Sequence, residues 1–390
     1  MIASITVPRL IQIGGGALAQ IAEVLDKVGG RHPLIVTDPF MRSSGMLGRL
    51  TALLDAAALR YGVFADTVPD PTTDVVEAGV RVLTAGADDA PYDCIVALGG
   101  GSPIDTAKAM SMLAANGGRV RDYRVPNPIP RIGVPLVAIP TTAGTGSEVT
   151  RFTVITDTET DEKMLIMGLA CTATAAIVDY ELTLSMPFRL TADTGIDSLT
   201  HAIEAYVSRK ASPFTDGLAL SAIEIISRNL RTACFAPGDH AAREAMMLGA
   251  MQAGIAFSNA SVALVHGMSR PIGAFFHVPH GLSNAMLLPE VTAFSASAAL
   301  PRYARCAKAM GLADDSEGDQ AATARLIGGL RNLNADLKVP TPAEYGIDRQ
   351  RYFDLAATMA QQALASGSPG NNPRVPTAEE IIKLYARIYA

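Results

Sequence analysis

The chain has few of the features that build a disulfide scaffold. Its four cysteines, Cys94, Cys171, Cys234 and Cys306, are scattered without a C-x-x-C pair. That excludes a cysteine zinc site and points to a reducing compartment, the cytoplasm. Basic clusters are also missing. The 32 Lys and Arg stand against 38 Asp and Glu, for a formal charge of −6, so nucleic acid is not an expected partner. No apolar run reaches the roughly 18 residues that a bilayer span needs. The opening MIASITVPRL lacks a basic stretch followed by an apolar core, so neither membrane insertion nor a signal peptide is expected. Repeats and low-complexity segments are absent as well.

What is present is apolar material for large cores. The chain has 390 residues, 49% of them hydrophobic, and that length suggests two or three domains. In the first half, apolar β-branched runs at 33–38, 61–68, 92–100 and 133–140 alternate with helical patterns at 14–30 and 72–87. That alternation predicts βαβ units on a parallel sheet. Strand signals continue through 154–166 and 175–187, then nearly vanish. Helical patterns follow at 191–208, 214–232, 240–258, 319–336 and 351–365, and a capping box at Thr377–Glu380 opens a last helix. The expected fold is an α/β N-terminal domain, residues 1–184, with a Rossmann-like parallel sheet, and an all-α C-terminal domain, residues 185–390.

Two glycine-rich loops follow strands. In Gly99-Gly100-Gly101-Ser102-Pro103-Ile104-Asp105, Ser102 reads as a helix N-cap, Pro103 as the first helical residue and Asp105 as a second capping group. The glycines would let a phosphate approach the backbone and meet the N–H groups of the helix start. The alternative is a tight turn with no ligand. The second loop, Pro140 to Glu148, offers hydroxyls at Thr141, Thr142 and Thr145, which suit a phosphate, a ribose or a simple helix cap. Asp38 ends the strand PLIVTD, where a carboxylate can accept from both ribose hydroxyls and repel a 2′-phosphate. That favours NAD over NADP; a turn or cap role is the plain alternative.

The second half holds the densest chemistry. Asp197 and His201 are four residues apart in DTGIDSLTHAIEAYVS, so on a helix they share a face. Asp193 extends their stripe. An exposed ion pair would explain Asp197 and His201 alone. LVHGMSRPIGAFFHVPHG then adds His266, His277 and His280 in apolar surroundings. One carboxylate with two or three imidazoles is a ligand set for a divalent transition metal. His32 and His240 lie in polar contexts and read as surface residues.

These segments carry a resemblance. LGGGSPIDTAKAM, IPTTAGTGSEVT, DTGIDSLTHAIEAYVS, FSNASVALVHGMSRPIG, VPHGLSNAMLLP and NNPR resemble the iron-containing (group III) alcohol dehydrogenases, which have the dehydroquinate-synthase-like fold. The resemblance implies Fe²⁺, with Zn²⁺ as an alternative, held by Asp197, His201, His266 and His280. It implies NAD held by Asp38, Gly99, Gly100, Gly101, Ser102, Thr141, Thr142 and Thr145. Lys163 would be a cation of the cleft and Phe257 an aromatic of the pocket, with His277 a spare beside the ligands. It also implies a cytoplasmic homodimer or larger homo-oligomer acting on small alcohols and aldehydes.

One position departs from the pattern. Many members carry a histidine four residues after the first C-terminal ligand, and here that place is Arg270. Arginine stays protonated and cannot act as a base. It can instead fork onto a carboxylate of the substrate, or form a structural ion pair. The expected reaction is hydride transfer between a small alcohol or hydroxy acid and NAD. Maleylacetate reduction, hydroxyacid–oxoacid transhydrogenation and, more distantly, a dehydroquinate-synthase-like lyase activity are the alternatives.

Overall fold

The computed structural model describes residues 2–87 and 90–390. It divides into two compact units, Ile5–Ser185 and Met186–Ala390, the latter joined by residues 2–4. The first unit is built on eight strands: β1 (Leu10–Ile13), β2 (Pro33–Val36), β3 (Gly62–Phe64), β4 (Cys94–Gly99), β5 (Leu136–Pro140), β6 (Phe152–Asp157), β7 (Glu162–Met167) and β8 (Ala175–Val178). Six form a parallel sheet in the order β1-β8-β5-β4-β2-β3, while β6 and β7 make a separate antiparallel hairpin. Helices α1 (Ile21–Val28), α2 (Pro39–Ser43), α3 (Met46–Ala56), α4 (Thr73–Ala85) and α5 (Gly101–Asn116) connect them.

The apolar runs are continuous because helices cover both faces of a parallel sheet. Side chains alternate across it. Leu34, Val36, Ile95 and Ala97 join one core with Ile104 and Met110 of α5. Ile35, Cys94, Val96 and Leu98 join the other with Leu25 of α1 and Leu50 of α3. The chain leaves β2 for edge strand β3 and then returns to the opposite side of β2 as β4. That reversal is a topological switch point, and ligands of such sheets collect at the carboxyl ends of its strands.

Short strands escaped the sequence reading. β1 was not expected, and β3 is three residues long where a run of eight was expected. His32, read as exposed, is buried. Its ring lies against Tyr92 at 4.7 Å between centroids, and Nδ1 is 3.1 Å from the Pro91 carbonyl oxygen. The polar loop context hid the fact that Pro33, the next residue, already enters the buried sheet.

The second unit is helical: α6 (Phe188–Val207), α7 (Pro213–Phe235), α8 (His240–Ala260), α9 (Leu264–Phe276), α10 (His280–Ser295), α11 (Leu300–Ala309), α12 (Asp319–Asp336), α13 (Arg349–Ala365) and α14 (Ala378–Ile388). Almost every residue of α6 is buried, because α7, α8 and α10 pack around it. Glycine permits the closest approach. A Cβ on Gly281 would meet the Asp193 carbonyl oxygen at 2.5 Å, so the start of α10 lies directly against α6. The capping box of α14 is formed, with Thr377 N–H donating to Glu380 at 2.9 Å. Helices α9, α10 and α11 were not read from the sequence; Pro271 and Pro289 stand inside the first two and interrupt the pattern. No single helix among the described residues is long and apolar enough to cross a membrane.

Candidate metal centre and nucleotide loops

Helix α6 sets Asp197 and His201 one turn apart on a buried face. Helix α9 begins two residues before His266, and α10 begins at His280. One ligand-type atom from each of these four side chains lies within 4.8 Å of the other three. Asp197 Oδ1 is 3.8 Å from His201 Nε2, 3.5 Å from His266 Nε2 and 3.9 Å from His280 Nε2. Three of the four are buried and His280 is exposed. Phe257 of α8 stacks on the His201 ring at 4.2 Å between centroids.

The electrostatics invite a cation. Burial pushes the Asp197 carboxyl up, but His201, His280 and His266 together outweigh it and hold it well below the usual carboxylate range. Burial pushes the His266 imidazole down, yet hydrogen bonds to Asp197 and Glu204 raise it to about 9. The donor set, three imidazole nitrogens and a carboxylate oxygen, suits Fe²⁺ or Zn²⁺. A further observation fits such an ion. Asn284, one turn after His280, puts Nδ2 at 2.6 Å from Asp197 Oδ1, while its own buried Oδ1 has no hydrogen-bond partner. A polar atom orphaned beside the ligands is unusual in a finished core and expected beside an ion.

Two residues of the centre were missed in the sequence. Asn284 is one. The other is Glu204, which continues the Asp197–His201 stripe at i+7 and contacts His266 Nδ1 at 2.7 Å. That spacing was the available signal. Asp193 is tied to Arg189, and His277, expected as a spare beside the ligands, is an exposed left-handed cap at φ 55° that ends α9. The NNPR motif is structural: Asn371 Nδ2 donates to Ser261 Oγ and the Val262 carbonyl, and Asn372 Nδ2 donates to Ser295 Oγ.

Arg270 lies one turn after His266 on α9. Burial lowers its pKa, Glu204 partly restores it, and no hydrogen bond or ion pair holds its guanidinium among the described residues. Lys163 lies on β7 and is paired with Asp70 at 2.7 Å.

The nucleotide elements leave the carboxyl ends of three adjacent parallel strands, Asp38 after β2, Gly99–Ser102 after β4 and Thr141–Thr145 after β5. Asp38 caps α2, accepting from Met41 N–H through Oδ1 at 2.8 Å; Oδ2 takes no part in the cap. The cap expected at Ser102 is displaced. Helix α5 starts at Gly101, with Gly100 as its N-cap and no side-chain cap. Asp105 turns away, accepting from Ser147 Oγ at 2.5 Å and Val154 N–H at 2.9 Å. The first N–H groups of α5 are thereby left to a ligand, the arrangement that attracts phosphate. Gly99 is indispensable to the turn: its φ is +148°, and a Cβ would meet Pro103 Cγ at 2.6 Å.

A switch-point parallel sheet with an uncapped glycine turn, followed by a helical unit with a clustered carboxylate and three imidazoles, defines a class of nucleotide-dependent metalloenzymes. Residues 8–180 match the family model for iron-containing alcohol dehydrogenase, and residues 191–389 match that for the C-terminal part of the same family. The chain belongs to the iron-containing alcohol dehydrogenase family. It is 38% identical over 379 residues to the NAD-dependent methanol dehydrogenase of Bacillus methanolicus, covering 97% of each chain. It superposes on a 1,3-propanediol oxidoreductase with a TM-score of 0.95 at 33% identity over the whole of both chains. It superposes on the sulfoacetaldehyde reductase of Bifidobacterium kashiwanohense, solved with NAD⁺, with a TM-score of 0.89 at 27% identity, covering 100% of this chain and 99% of that one.

Proposed function

We propose that this chain is an NAD-linked, metal-dependent alcohol dehydrogenase that interconverts a small alcohol or hydroxy acid with its aldehyde or semialdehyde. The convergence of Asp197, His201, His266 and His280 within 4.8 Å carries the reading. These four residues would hold Fe²⁺ or Zn²⁺. Such an ion supplies Lewis acidity to an alcohol or carbonyl oxygen. Phe257, stacked on His201, walls the ligands and keeps water from that side. Asp38 offers Oδ2 to a ribose and repels a 2′-phosphate, which supports NAD as the cofactor. Gly100, Gly101 and Ser102 would hold the pyrophosphate on the α5 N–H groups, beside the hydroxyls of Thr141, Thr142 and Thr145. The reading includes a cytoplasmic homodimer or larger assembly; the four free cysteines, all buried, are in keeping with a reducing setting.

Gly100 tests the nucleotide assignment without harming the fold. Its φ is −73°, and an added Cβ would meet nothing nearer than Thr142 Cγ2 at 3.6 Å. Gly100→Ala is therefore expected to melt like wild type and to bind NAD about tenfold more weakly, roughly 1.4 kcal/mol. Unchanged NAD titration would place the pyrophosphate elsewhere.

The finer substrate reading is a carboxylate-bearing alcohol, because Arg270 is a half-buried cation that no carboxylate contacts directly among the described residues. Lys163, already paired with Asp70, is the weaker candidate for a substrate contact. A charge-assisted contact contributes about 1.5–3 kcal/mol. NADH formation would be followed for a short alcohol and its ω-carboxylate analogue, in wild type and Arg270→Ala. The wild type should favour the carboxylate, and the variant should lose about 10- to 100-fold of that preference. An unchanged ratio removes the carboxylate and leaves neutral alcohols or diols. Hydride exchange with an oxo acid and no net NADH would instead mark a transhydrogenase.

A further inference from the structure

The start of α9 presents a problem that the sequence does not solve locally. Its N-cap is Ala263, which has no side chain able to take the first N–H groups. The turn before it is held open at Ser261, where φ is +68°, a conformation that non-glycine residues rarely keep without support. Support comes from two distant segments. Asn371 holds Ser261 Oγ and the Val262 carbonyl. Glu204, from α6, takes the Ala263 N–H through Oε2 at 2.9 Å and the Val265 N–H through Oε1 at 2.6 Å. The same Oε2 lies 2.7 Å from His266 Nδ1. An ionised carboxylate only accepts, so Nδ1 carries a proton, and Nε2, 3.5 Å from Asp197 Oδ1, is the nitrogen left to ligate a metal.

We propose that Glu204 is the positioning residue of the metal centre. It anchors the turn that carries His266 to the helix that carries Asp197 and His201, and it selects the His266 tautomer that can ligate. The inference rests on the metal reading above. Its chemistry requires a carboxylate. Three N–H donors converge on the two oxygens, so the isosteric glutamine must aim its NH₂ at another donor and leave at least one buried N–H unmet. Arg270, one turn along α9, offsets the buried charge through space.

The test measures metal affinity, not turnover. Wild type, Glu204→Gln and Glu204→Asp would be stripped with chelator and titrated with Zn²⁺ against a chromophoric competitor. Loss of an outer partner of a metal-bound histidine weakens binding about 10- to 100-fold. That loss is expected for Glu204→Gln, a smaller one is expected for Glu204→Asp, and NAD titration should be unchanged in both. A folded Glu204→Gln with wild-type Zn²⁺ affinity overturns the inference while leaving the metal site standing. A wild type that takes up no Zn²⁺ removes both. Should Glu204→Gln not fold, nitrogen NMR of His266 in Zn²⁺-loaded wild type decides: a proton on Nδ1 supports the proposal and a proton on Nε2 overturns it.

Discussion

His266→Ala is expected to release the metal and lower kcat/KM by about a thousandfold or more. The variant removes a buried ligand from a cluster whose other members cannot move to replace it. Asp197 and His201 are fixed on α6, and His280 is fixed at the start of α10 by the contact of Gly281 with Asp193. Lewis-acid stabilisation of developing charge is worth several kcal/mol, and each 1.36 kcal/mol is tenfold in rate, which sets the size of the loss. Metal analysis and steady-state kinetics on one preparation check it. NAD binding should survive, because the nucleotide elements belong to the other unit. A variant that keeps both its metal and its rate would show that the ion is held elsewhere.

Lys108→Met should destabilise the N-terminal unit by about 3 kcal/mol or more, because three buried oxygens lose their donor and each unmet group costs about 1–3 kcal/mol. Lys108 is completely buried on α5. Its ammonium donates to Ser147 Oγ at 3.1 Å, Thr150 Oγ1 at 3.0 Å and the Phe152 carbonyl at 2.8 Å. Burial pushes its pKa down and Asp105 draws it back up. Asp105 in turn accepts from Ser147 and Val154. Together the two residues bolt the helix of the first glycine loop to the segment after the second. Methionine keeps the length of the side chain but donates nothing to Ser147 Oγ, Thr150 Oγ1 and the Phe152 carbonyl. Denaturant unfolding followed on that unit measures the loss; a change under about 1 kcal/mol would mean that Lys108 is neutral in the folded protein.

These cases show which features the sequence displays. Asp197 and His201 were legible because i, i+4 spacing is a geometric statement about a helix. His266 and His280 were legible because imidazoles in apolar runs need a partner. Glu204 was overlooked although it shares the same stripe, since one more glutamate on a helix ordinarily reads as a solvated group. Lys108 was passed over for the same reason: a lysine in a helix signals a surface, and only the tertiary fold shows its ammonium enclosed by Ser147, Thr150 and Phe152. Asp105 looked like a local cap. Val154, from β6, competes for its carboxylate, and that partner is invisible at short range. The parallel sheet was readable from its buried runs, while β1, a four-residue edge strand, carries too few residues to show a period.

The central claim is that one divalent ion sits among Asp197, His201, His266 and His280. The most direct measurement is an anomalous difference map, collected at the iron or zinc edge, from crystals grown with metal and NAD. One strong peak bounded by those four side chains is the expected result. A map with no peak there, or with its peak on another cluster, would contradict the assignment and the dehydrogenase chemistry built on it.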